Sequence, residues 1–198
     1  MPKLNKNLAL DIMIKAAKEY DVKLKGNHFL IVYQENGKYL TNSIGFKEYN
    51  FLHMTGVKTR LSAQQFYNAC INGKLSVNQF EIDNAGKVAQ KLQVLPYLSN
   101  LLYDKCMIGN FINSGIFIET DYFVGNTRVL ISVAFRNGKT VDYPVSLYRE
   151  DIRKLSKPTN KVLAVFKKKF NDINYTDCIY VAENQDLSKI PLPSNVII

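Results

Sequence analysis

Residues 127–148, TRVLISVAFRNGKTVDYPVSLY, decide the fold class. Val129, Ile131, Val133 and Phe135 recur at every second position, which is the period of a half-buried strand. Asn137-Gly138 follows, the pair preferred in tight hairpin turns. The stretch therefore predicts a hairpin between Arg128–Phe135 and Lys139–Tyr143. Around it, CMIGNFI, GIFIETDYFVG and YTDCIYVA are also strand-like, so residues 105–182 read as β-rich.

The preceding residues read differently. Over 7–23, Leu8, Ile12, Ala16 and Tyr20 recur every fourth position, with Met13 and Ala17 beside them, which predicts a helix. HFLIVYQENGKYLTNSIGF (28–46) predicts a hairpin about Asn36-Gly37. SAQQFYNACINGK (62–74) predicts a helix with a Ser62/Gln65 capping box, ended by Gly73. SVNQF repeats the box with Ser76 and Gln79. From Asn84 to Tyr103, Val88, Leu92, Leu95, Leu98, Leu101 and Leu102 form a helical stripe that Pro96 bends or restarts. REDIRKL (149–155) predicts a short helix, and NKVLAVFKKKF (160–170) another through Val162, Val165, Phe166 and Phe170. The tail LSKIPLPSNVII is Pro-broken and expected to be extended.

Helices first and antiparallel strands second indicate an α+β fold: N-terminal helices on a small antiparallel sheet. A length of 198 residues fits a single domain over 1–198, helix-rich to 104, strand-rich over 105–182, with an extended tail from 183. Hydrophobic content of 46% with 22% charged residues is that of a globular chain and not of a disordered one. No apolar run is long enough to span a membrane, and the basic start lacks an uninterrupted apolar segment, so neither a membrane span nor a secretory signal is expected. Cys70, Cys106 and Cys178 are odd in number and unclustered, which predicts reduced, mostly buried thiols in the cytoplasm. The formal charge of +9 would attract nucleic acid, or equally an acidic protein or anionic surface.

Walker, GxGxxG, HExxH and EF-hand patterns are lacking, and NSGIF (113–117) is no nucleophile elbow. No cofactor or metal is expected. The remaining His, Lys, Arg, Ser, Thr and Tyr suit cleavage of RNA by its own 2′-hydroxyl, which needs a base, an acid and cations about the phosphate. NFLHMTGVKTR (50–60) carries such pieces: His53, the hydroxyls of Thr55 and Thr59, a turn at Gly56, and Lys58 and Arg60 for phosphate. The alternative is a turn before the Ser62 helix, with His53 hydrogen-bonded for structure. Arg128, Ser146, Tyr148 and Arg149 form a second group, in which Ser146 is either a contact for substrate or the cap of the following helix. Lys167–Lys169 reads as a solvated helix end or a phosphate-tracking run, and His28 as structural.

The order NFLHMTGVKT, SAQQFYNACINGKLSVNQFE, MIGNFI, IETDYFVGNTRVLISVAF, YPVSLYRED, YTDCIYV resembles the phage-associated branch of the barnase–EndoU–colicin–RelE-like nucleases, over roughly residues 45–182. The resemblance implies helices on an antiparallel sheet and a metal-independent ribonuclease. It places His53 as general acid or base, Thr55 and Ser146 as further active-site residues, and Lys58 and Arg149 near phosphate. It implies RNA as partner, such as tRNA or a ribonucleoprotein, together with an antidote or host defence protein. It offers no second histidine, so a lysine, tyrosine or carboxylate must exchange the other proton. The rival expectation is an inactive, nuclease-like module that binds RNA or a defence ribonucleoprotein.

Overall fold

The structure is a computed structural model and describes residues 4–83, 86–112 and 118–197. The helical start at Asn84 and the NSGIF segment lie outside the described residues. Along the chain come α1 (Lys6–Lys23), the hairpin β1 (Asn27–Glu35) and β2 (Lys38–Gly45), α2 (Asn50–Thr55), β3 (Lys58–Thr59), α3 (Ala63–Ile71), β4 (Phe80–Glu81) and α4 (Lys87–Val94). A 3-10 helix, Leu95–Tyr103, leads to β5 (Met107–Phe111), β6 (Tyr122–Asn126), β7 (Ile131–Arg136), β8 (Tyr143–Arg149), α5 (Ile152–Leu155), β9 (Ser156–Lys169) and β10 (Asp177–Val181).

Local signals explain several of these ends. Asn5 caps α1 by accepting from Leu8 N–H at 2.8 Å. Asn36 and Gly37 both take positive φ, as the tight turn between β1 and β2 requires. The Ser62/Gln65 capping box opens α3 with both of its reciprocal bonds present. Pro96 stands in the first turn of the 3-10 helix.

The sheet is larger than expected. Eight strands join in the order β2-β1-β9-β5-β6-β7-β8, with β10 on the flank of β9, and every pairing is antiparallel. The α+β class stands, but the sheet is not small, because the first hairpin belongs to it. NKVLAVFKKKF is not a helix. It is most of β9, whose early residues pair with β5 and whose later ones pair with β1. Val162 and Val165 pack into the main core, while Ala164 and Phe166 pack on the opposite face under Tyr175 and Ile190. A strand covered on both faces loses its alternation, so its apolar run imitates a helix.

Other expectations shift in detail. Asn137-Gly138 does not form a two-residue turn. A longer loop runs to Asp142, whose Oδ1 accepts from Gly138 N–H at 3.0 Å. The Ser76/Gln79 pair closes a turn with no helix after it. Asp151 caps α5, so Ser146 is no cap and lies within β8. Cys178 is exposed, unlike Cys70 and Cys106.

Helices α1 to α4 and one face of the sheet share a core from Ala9 to Val165. Tyr20 anchors α2 within it: its ring meets Phe46, Phe51 and Tyr67 edge-on, and its hydroxyl donates to the Lys47 carbonyl at 2.9 Å. The sheet curls until its outer strands touch at one corner. There Asp142 N–H donates to the Ser43 carbonyl (2.8 Å), and Gly45 N–H donates to the Asp142 carbonyl (2.9 Å). Asn50 ties α2 to β8 through the Pro144 carbonyl at 3.3 Å. Among the described residues, no helix is long and apolar enough to cross a membrane.

Candidate active site

The short helix α2 ends at Gly56, which adopts a left-handed φ of 73° and donates its N–H to the Leu52 carbonyl. Thr55 is fully buried there. Its hydroxyl donates to the Leu52 carbonyl at 2.8 Å and accepts from Val57 N–H at 3.3 Å, so it shapes the turn. His53 lies in the last turn of α2 with its side chain exposed, on the solvent side and not in the core.

Lys91 comes to this turn from α4. Its stem crosses Gly56, and its ammonium donates to the His53 carbonyl (3.0 Å) and to Ser146 Oγ (2.8 Å). It also stands 6.0 Å from the centre of the Tyr148 ring. Three elements therefore converge: α2 with His53, α4 with Lys91, and β8 with Ser146 and Tyr148. Burial lowers the Lys91 pKa to about 8, while the Asp83 carboxylate opposes the shift. Asp83 is fixed at the start of α4, where it accepts from Val88 N–H at 3.0 Å. Burial also raises the Tyr148 hydroxyl. An ammonium held near the working pH, bonded to a helix-end carbonyl and a buried hydroxyl, can donate a proton or stabilise an anion.

Among the described residues, no hydrogen bond or ion pair ties the remaining candidates to Lys91. Arg149 is exposed at the end of β8, three residues beyond Ser146. Lys58 and Arg60 line a cleft of about 540 Å³ beside β3 and β4. Arg128 lines another, of about 640 Å³, with Lys105, Arg153 and Lys161. Lys167 and Lys168 lie in β9; Lys167 pairs with Asp177 at 3.2 Å, and Lys168 donates to the carbonyls of Asp172 and Ile173.

Residues 12–184 match the model of one family, phage-Barnase-EndoU-ColicinE5/D-RelE like nuclease4 (PBECR4). The chain belongs to the PBECR4 family. The match spans α2, α4 and β8, so the whole convergence of His53, Lys91, Ser146 and Tyr148 lies within the PBECR4 region. No curated protein and no solved structure matches the chain.

Sequence reasoning missed Lys91, although a signal was present. Lys91 is three residues from Val88 and four from Leu95, both buried, so it stands on the apolar stripe of α4. A lysine on that stripe must either reach round to solvent or meet buried acceptors.

Proposed function

We propose that this PBECR4 chain is a metal-independent endoribonuclease. The RNA 2′-oxygen attacks the adjacent phosphorus as the bond to the 5′-oxygen breaks. His53 takes the 2′-hydroxyl proton. The Lys91 ammonium, positioned by Ser146, stabilises the phosphorane and protonates the leaving oxygen. The products are a 2′,3′-cyclic phosphate and a 5′-hydroxyl, with RNA, such as tRNA or a ribonucleoprotein, as substrate. The observation that carries this reading is a buried lysine, its pKa lowered to about 8, whose ammonium bonds the backbone carbonyl of His53 and the hydroxyl of Ser146. It is the group that a single-histidine mechanism needs, because proton transfer is efficient when a pKa lies near the operating pH.

The test is cleavage of mixed RNA in EDTA by the wild type, His53→Ala and Lys91→Met, with the product ends identified chemically. Cyclic phosphate ends from the wild type alone support the proposal. Absence of cleavage, or cleavage unchanged in both variants, overturns it. Binding without turnover in all three would favour the inactive module instead.

A further inference from the structure

A third cavity lies at the opposite end of α2 from His53. It measures about 300 Å³ and opens between the start of α2 and the start of β8. Tyr49, Tyr143, Phe170 and His28 bring rings to it, and Lys47 and Thr140 bring polar heads. Tyr49 and Tyr143 are 45% and 37% exposed, large fractions for aromatic side chains in a chain with a real core. His28 and Phe170 lie 4.3 Å apart between ring centres, and Lys47 stands 5.9 Å from the Tyr49 ring. The lining carboxylate is already occupied: Asp142 accepts from Gly138 N–H, Tyr122 Oη and Asn42 Nδ2. A phosphate beside Lys47 therefore meets a carboxylate that is already hydrogen-bonded.

Two elements connect this cavity to Lys91. Helix α2 runs from Tyr49, its cap, to His53 and Thr55, a rise of about 9 Å over six residues. Strand β8 runs from Tyr143 to Ser146, about 10 Å at ordinary strand rise. That separation suits a neighbouring nucleotide on one strand. Interleaved aromatic rings and cations are the means by which proteins hold unpaired bases, since every base has a face to stack and a phosphate to neutralise.

We infer that this cavity is a subsite for one unpaired nucleobase of single-stranded RNA, the neighbour of the nucleotide cleaved at Lys91. Tyr49 and Tyr143 stack the base, and Lys47 meets its phosphate. The inference rests on the nuclease reading for what arrives there.

The probe is a short, dye-labelled 2′-O-methyl oligonucleotide, which lacks the nucleophile and cannot be cleaved. Binding is followed by anisotropy for the wild type and for the Tyr49→Ala/Tyr143→Ala chain. The expected loss of affinity is roughly 5- to 150-fold, that of one stacked base, with little change for the corresponding duplex. Both side chains are exposed, and a thermal melt confirms that the variant folds. The chain has no tryptophan, so Tyr143→Trp introduces a single reporter whose emission the stacked base should quench. Equal affinity in the double variant, or emission that does not respond to saturating oligonucleotide, overturns the subsite. Wild-type cleavage with that result leaves the nuclease reading in place. Binding and quenching without any cleavage of ordinary RNA would sink the nuclease reading and leave the subsite standing.

Discussion

Gly56 and Lys91 are in contact, and the contact depends on a missing atom. A Cβ on Gly56 would lie 2.7 Å from Lys91 Cδ, inside any permitted separation. The glycine that ends α2 thus also opens the path by which Lys91 reaches His53 and Ser146. One position meets a backbone requirement and a steric one, and different substitutions separate them.

Gly56→Ala imposes both penalties. The left-handed φ costs about 1–2 kcal/mol for a residue with a Cβ, and the lysine is displaced as well. Gly56→Asn tolerates that backbone better but keeps the Cβ. Denaturant titration should find the asparagine chain the more stable of the two, while both lose most cleavage. Full activity in Gly56→Asn would show that the path of Lys91 is not important.

Lys91→Met should separate stability from activity. A folded-state pKa of about 8 lies below the ordinary value of 10.5, so burying the charge opposes folding. The penalty is complete below pH 8 and vanishes as pH rises towards 10.5. Its upper bound is about 3 kcal/mol, and losing the bonds to the His53 carbonyl and to Ser146 offsets about 2. Chemical melts at pH 7 should therefore find Lys91→Met more stable by up to about 1 kcal/mol. The advantage should shrink between pH 8 and 10.5. Cleavage should be lost in the same protein.

For the wild type, cleavage should fall as pH rises through about 8, because the protonated lysine is the working form. Ser146→Ala removes an acceptor from the ammonium, which disfavours the charged form. The alkaline limb should then move to lower pH, with cleavage at pH 7 reduced about tenfold. A rate that rises through pH 8 would assign Lys91 as base and reverse the mechanism.

His53→Gln should reduce cleavage about 100- to 10,000-fold, the range for losing a proton-transfer group. Because the side chain is exposed, unfolding free energy should stay within about 0.5 kcal/mol of wild type. Equal losses of stability and activity would instead identify His53 as a structural residue.

Much of the fold could be read from local chemistry. Asn36-Gly37 and the Ser62/Gln65 box act within a few residues, and the structure keeps both. Strand β9 could not be read this way, because its pattern is set by what covers each face: the main core on one side, Tyr175 and Ile190 on the other. The Asn137-Gly138 loop departs from its local signal for a similar reason, since Asp142 holds it while also bonding Ser43, about a hundred residues away in the chain. At the site, His53 and Ser146 stood out by motif. Lys91 belongs with them only through the meeting of α2, α4 and β8, which no single stretch of sequence records.

The position of β9 also bears on synthesis. Among the described residues, the strand that joins the first hairpin to β5 is the ninth of ten in chain order, and it follows His53, Lys91 and Ser146. At ~5–20 residues per second, the nascent chain spends seconds with these side chains made but the sheet beneath them divided. The two parts of the sheet are joined only once β9 is made.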